Sequence, residues 1–172
     1  MIYFDIDGVL SDSDGYLKTC DPRALDDTHL LFKTICKYYK TAFLEPKPLV
    51  DLSFLETVGD FTLLTALPNR DNIDSFTEDT DTIMQVLTNN KRKWVQKHIG
   101  ECKLEIVNNA RDKVKFCQPG DILVDDNKKT GANWQAKGGT WFPSIAAFLS
   151  GESKVSKNVP VADSQFIKEV LW

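Results

Sequence analysis

At 172 residues and 42% hydrophobic content, the chain can bury a core without a covalent or metal staple, as one domain with room for a modest insertion. A formal net charge of −4 and a pI near 5.2 exclude a broad basic surface of the kind that grips long nucleic acid. Cys20, Cys36, Cys102 and Cys117 are widely spaced with no CxxC pair, and no apolar run approaches the ~20 residues of a membrane span. The opening residues run straight into an acidic motif instead of a charged leader, so the expectation is a cytoplasmic protein with reduced thiols.

In chain order, the first predicted strand is Ile2-Tyr3-Phe4, ending at Asp5. The stretch 11–59 holds an amphipathic helix around Leu30, Leu31, Ile35, Tyr38 and Tyr39, then a short apolar piece from Leu49 to Val58. It reads as a small helical cap inserted after the first strand, with residues 1–10 and 60–172 forming the core. A second strand, Phe61 to Leu64, ends at Thr65, and the loop Asp71 to Asp81 is acidic and polar. Ile83, Val86, Leu87, Trp94, Val95 and Ile99 predict a helix or helix pair over roughly 82–99, stopped by Gly100. Leu104 to Val107 and Ile122-Leu123-Val124 are the third and fourth strands, the latter ending at Asp125. A helix from about Thr130 to Lys137 precedes a fifth strand, Thr140-Trp141-Phe142. Ser144 is set to cap a helix beginning at Ile145, Ser153 to Asn158 reads as an exposed linker, and Ser164 to Trp172 as a final helix. Brief, continuously apolar strands alternating with helices predict an α/β fold with a parallel sheet covered on both faces.

The chemistry lies in what ends these strands. Asp5-Ile6-Asp7-Gly8, Thr65, a lysine at Lys113 or Lys115, and Asp125-Asp126 all fall at the carboxyl edge, where open parallel sheets bind ligands. Carboxylates, a hydroxyl and an ammonium at one edge suit phosphoryl transfer through an aspartyl intermediate. An ionised carboxylate attacks phosphorus only if a divalent cation offsets its repulsion by the phosphate, and magnesium favours carboxylate, phosphate and water oxygens. In this reading Asp5 is the nucleophile and Asp7 serves the leaving oxygen and then the attacking water. Thr65 and Lys113 bind the phosphoryl oxygens, and Asp5 with the Asp125-Asp126 pair holds Mg2+.

These residues resemble the motifs of the haloacid dehalogenase superfamily: Phe4-Asp5-Ile6-Asp7-Gly8-Val9 is similar to its first motif, Leu63-Leu64-Thr65 to its second, and Ile122-Leu123-Val124-Asp125-Asp126 to its fourth. The resemblance implies a Rossmann-like sheet flanked by helices. An Asp two positions after the nucleophile marks the superfamily's phosphatases, which argues against dehalogenase chemistry. Arg111-Asp112-Lys113 and Lys93-Trp94-Val95 followed by Ile99-Gly100 are similar to the 5'(3')-deoxyribonucleotidase branch. The resemblance covers roughly residues 1–10 and 60–142, and implies a metal held by the Asp7 backbone carbonyl and by Asp126, with Asp125 kept as the alternative side chain. The expected substrate is a small phosphorylated molecule, a nucleotide first, with no membrane partner. A polynucleotide 3'-phosphate end and a sugar phosphate remain alternatives, as does a non-catalytic nucleotide-binding module.

Other readings are plainer. Asp12-Ser13-Asp14-Gly15 lacks the third acidic position and the preceding helix of a calcium loop. Lys91-Arg92-Lys93 reads as a solvated helix face rather than a nucleic-acid contact. Most of Tyr16, Phe32, Tyr38, Tyr39 and Phe43 are expected to pack the inserted helix rather than stack on a base. Arg70 is divided evenly between substrate contact and surface.

Overall fold

The structure is a computed structural model that describes residues 1–152. Five strands form one sheet in the order β3-β2-β1-β4-β5: β1 (Ile2–Phe4), β2 (Phe61–Ala66), β3 (Lys103–Val107), β4 (Ile122–Val124) and β5 (Thr140–Phe142). All pairings are parallel, as the continuously apolar strands lead one to expect. The expected α/β class, a Rossmann-like parallel sheet flanked by helices, is what the chain adopts. β2 runs two residues further than its apolar stretch, so Thr65 lies within the strand, level with Ile106.

One face of the sheet buries Ile2, Phe4, Leu63, Ile122, Val124 and Phe142. It is covered by α3 (Leu55–Val58), the second half of α5 (Thr80–His98) and α7 (Ile145–Ser150). Phe4 is the hub of this layer, meeting Phe54, Phe61 and Phe148 edge-on at 5.3–5.9 Å between centroids. The other face buries Tyr3, Leu64, Leu123 and Trp141 beneath Trp134 of α6 (Lys128–Ala136). Gly131 permits this approach, because a Cβ there would lie 2.2 Å from the Trp141 ring.

Between β1 and β2 lie α1 (Ser13–Cys20), α2 (Thr28–Lys37), a 3₁₀ turn (Leu52–Phe54) and α3. The first of these was not expected, since only Ser13 and Leu17 of its eight residues are buried and the apolar periodicity is faint. Its start is set by Asp12, whose Oδ1 accepts the Gly15 amide at 3.0 Å. The acidic stretch after β2 is not all loop. Asn69 caps a short α4 (Arg70–Asp74) that buries Ile73 against Leu67, Ile83 and Leu87. α5 is one unbroken helix rather than a pair. α6 begins two residues early because the Asn127 side chain accepts from the Lys129 and Thr130 amides, and Ser144 caps α7 as expected.

The predicted linker at 153–158 and helix at 164–172 lie outside the described residues. Among those described, no helix is long and apolar enough to cross a membrane, and all four cysteines are free thiols.

Candidate active site

β1 sits at the centre of the sheet, and the chain order reverses on either side of it: β2 and β3 lie to one side, β4 and β5 to the other. The register Phe4↔Val124 carries two neighbouring strands to a common end. The next residue of each, Asp5 and Asp125, therefore emerge side by side beyond the last ladder bonds, which run from the Asp5 amide to Val124 and from the Asp125 amide to Phe142. Asp5, Asp125 and Asp126 each offer a carboxylate oxygen, all within 4.8 Å of one another.

Lys113 holds this group together. It lies in a 3₁₀ segment (Ala110–Phe116) after β3, with its side chain 2% exposed. Its ammonium is 2.6 Å from Asp5 Oδ2 and 2.7 Å from Asp125 Oδ2. Between the two lysines left open by the sequence, the geometry is one-sided, for Lys115 points to solvent and pairs with Asp112. The remaining oxygens of the pair are held by backbone: Asp5 Oδ1 accepts from the Ile6 amide at 2.7 Å, and Asp125 Oδ1 from the Asn127 amide at 2.8 Å. The Trp141 indole fixes the Asp125 carbonyl at 2.6 Å.

Asp7 forms a second group. The turn after β1 folds back tightly, with the Leu10 and Ser11 amides both donating to the Ile6 carbonyl. Gly8 makes the turn possible with φ +72°, and a Cβ there would lie 2.3 Å from Asp126 Oδ2. Asp7 Oδ1 accepts from Ser13 Oγ at 2.6 Å, and its Oδ2 takes Thr65 Oγ1 at 3.4 Å together with the ammonium of Lys91. Lys91 also donates to Thr65 Oγ1 at 3.0 Å.

Lys91 is a correction to the sequence reading. Arg92 and Lys93 do face solvent, but Lys91 is wholly buried. A helix turns 100° per residue, so three consecutive cations cannot share a face. Lys91 falls instead on the stripe of Ile83, Leu87, Trp94 and Val95. That stripe was the available signal, hidden because the cations read as one run.

Between the two groups opens a cleft of about 210 Å³ lined by Asp5, Asp7, Gly8, Asp14, Lys113 and Asp126, among others. Thr65, predicted to bind phosphate, is fully buried, and its hydroxyl is engaged by Asp7 and Lys91. Ser13 and Asp14, by contrast, belong to the site although the sequence suggested only a failed calcium loop. Arg70 is exposed and pairs with Asp81 at 2.7 Å. Phe32, Tyr39 and Phe43 pack with the apolar cluster under α5, and among the described residues no aromatic side chain lines the cleft. A larger hollow of about 800 Å³ lies at the opposite end of the sheet, beside Met1, Phe61 and Lys103. It lacks convergent buried charge, and convergence rather than size marks a reactive site.

Five carboxylates (Asp5, Asp7, Asp14, Asp125, Asp126) meet two ammonium groups here, a local excess of negative charge. That excess shifts the carboxyls. Burial, only partly offset by Lys113, pushes Asp5 up to about 7. Asp126 stands at the exposed rim, yet partial loss of hydration against the cleft wall and repulsion from Asp125 push it up to about 6. Burial works against the Lys113 charge, but Asp5 and Asp125 more than compensate and hold it above the ordinary lysine range. An all-oxygen set of this charge suits a hard divalent cation, whether magnesium, calcium or manganese.

No family model matches the chain, and no curated protein matches it either. What the arrangement offers is a buried carboxylate beside a lysine, three carboxylates close enough together that they could hold a cation, and a second carboxylate facing the same small cleft.

Proposed function

We propose that the chain is a magnesium-dependent phosphomonoesterase of the haloacid dehalogenase type, working through an aspartyl phosphate on Asp5. The observation that carries the reading is the Asp5–Lys113–Asp125 bridge, with Asp126 alongside, at the ends of two adjacent strands where the chain order reverses. Asp5, Asp125 and Asp126 are the side chains that would hold Mg2+, and the resemblance adds the Asp7 carbonyl. The bound cation would neutralise charge between the carboxylate and the phosphate.

The rest belongs to the chain. Lys113 lines the cleft and stabilises negative charge on the phosphoryl oxygens. An Asp5 oxygen attacks phosphorus while the bond to the leaving oxygen breaks, and Asp7 gives that oxygen a proton. Water then attacks the aspartyl phosphate, Asp7 takes a proton from it, and phosphate departs from Asp5.

A nucleotide is the leading substrate class. The cleft opens at a rim formed by the exposed Asp126 and Asn127, past which a leaving group can extend. That openness favours a second reading, a 3'-phosphorylated polynucleotide end, over a sugar phosphatase. The test is a panel of nucleoside 5'-monophosphates, sugar phosphates, a 3'-phosphorylated oligonucleotide and an aryl phosphate. Phosphate release that stops with EDTA and returns with magnesium is expected, and Asp5→Asn should lower it by at least about a thousandfold. A folded, magnesium-loaded protein that cleaves none of these sinks the proposal. Calorimetric nucleotide binding without turnover would point to the non-catalytic module.

A further inference from the structure

The phosphatase reading uses Asp7 but gives no task to Lys91, among the described residues the one fully buried lysine that does not line the cleft. A buried ammonium is costly unless it is paired and hydrogen-bonded, and its surroundings here come from three elements besides its own helix. Asp7 follows β1, Thr65 lies in β2, Lys91 in α5, and the Phe43 ring covers the ammonium from the 39–43 turn at 4.3 Å.

That turn is held by the neighbour of Lys91. The Asn90 amide donates to the carbonyls of Tyr39, Lys40 and Ala42 at 2.8–3.2 Å. Phe43, immediately after, has φ +61°, and it is the one non-glycine residue described with positive φ. A bulky residue in the left-handed region is strained and persists only where its surroundings impose it. One helix turn later, the Trp94 indole donates to the Pro46 carbonyl at 2.7 Å. Three successive inward residues of α5 thus clamp the 39–46 stretch and close a box around the Lys91 ammonium, whose remaining side is Asp7.

The two oxygens of Asp7 are consequently unequal. An ammonium can only donate, so Oδ2 is an acceptor in every protonation state of the carboxyl. Oδ1 faces the Ser13 hydroxyl, itself 2.8 Å from Ser11 Oγ, and a hydroxyl can donate to a carboxylate or accept from a carboxyl by rotating.

We propose that Lys91 is a positioning residue for Asp7: it anchors Oδ2 so that Oδ1 alone carries the catalytic proton. This rests on the phosphatase reading. As the Asp5–phosphorus bond forms and the ester bond breaks, the proton passes from Oδ1 to the leaving oxygen. As water attacks phosphorus and the Asp5 bond breaks, a water proton returns to Oδ1.

The experiment compares Lys91→Met, which keeps the stem and loses the donor, with Lys91→Gln, which keeps an N–H donor. Release of the leaving group is followed in a single turnover on two esters: 4-nitrophenyl phosphate, whose leaving group needs no proton, and a deoxynucleoside 5'-monophosphate, whose alkoxide does. K91M is expected to lose about 100-fold on the nucleotide but less than about fivefold on the aryl ester, with K91Q recovering part of the nucleotide rate. Urea midpoints of wild type, K91M, D7N and the double variant supply a readout free of activity: losing Lys91 should cost less once Asp7 is Asn. Should K91M not fold, K91Q carries both comparisons. Equal losses on the two esters in an active enzyme overturn the inference alone, as do additive midpoints. A wild-type protein inert towards both esters overturns the phosphatase reading, and the inference with it.

Discussion

Lys113 and Lys91 are both buried lysines that reach aspartates at the same sheet edge, and their environments differ in a way that separates two tasks. Lys113 serves two carboxylates, lines the cleft, and has Asp126 close behind them, so its surroundings keep an unbalanced negative charge. Lys91 has one carboxylate, one hydroxyl and an aromatic face, and stands behind Asp7, away from the cleft. The first arrangement leaves negative charge that a further cation could offset. The second is a closed, one-to-one pairing that an incoming ligand has no reason to rearrange.

The sharpest way to break this contrast is to remove each ammonium and then add magnesium. Lys113→Met leaves Asp5 and Asp125 buried without their counter-charge, and in metal-free buffer should cost about 3–5 kcal/mol of unfolding free energy. Magnesium bound by the same carboxylates should return much of that loss in urea unfolding. Lys91→Met should gain no such recovery, because the Asp7 side chain is not in the three-carboxylate set. Equal rescue of both variants would dissolve the distinction.

A smaller effect comes from the carboxyls themselves. Asp5 and Asp126, raised to about 7 and about 6, bind protons in the folded state at pH values where an unfolded Asp, near ~3.9, has lost them. The metal-free fold therefore takes up protons between about pH 4 and 7. Its stability contribution from these groups is complete below about 4 and fades as pH rises through 6 and 7. Magnesium must displace those protons, so its affinity should climb from pH 5 to 8. Calorimetry in buffers of different ionisation enthalpy should find between about one and two protons released per ion at pH 6. No proton release at pH 6 would mean that the cation sits elsewhere.

The contrast also explains how far the sequence could be read. Asp5 and Asp125-Asp126 stand out because each ends an unbroken apolar strand, and strand ends in a parallel sheet share one edge. Lys91 does not stand out, since its neighbours Arg92 and Lys93 are solvated and a run of cations looks uniform until helix rotation divides it. Thr65 is the opposite case. Its place at the strand end was legible, but the direction of its hydroxyl depends on Lys91 filling the space beside it. Ser13 and Asp14 reach the site through α1, a helix whose faint apolar pattern left the Asp12-Ser13-Asp14-Gly15 string without a context.

The least effect is expected at Lys115, and it is informative for that reason. Lys113 and Lys115 lie two residues apart in one 3₁₀ segment, where three residues complete a turn, so the geometry that buries one directs the other outward. Lys115 is 77% exposed and meets Asp112 at 2.7 Å, a pairing that water and salt screen heavily. Lys115→Met should therefore shift unfolding by no more than about 0.5 kcal/mol and turnover by no more than about twofold. Those limits apply at every pH, since no cleft group depends on Lys115 for counter-charge. A loss of turnover comparable to that of Lys113→Met would show that the buried bridge to Asp5 is not what makes a lysine matter here.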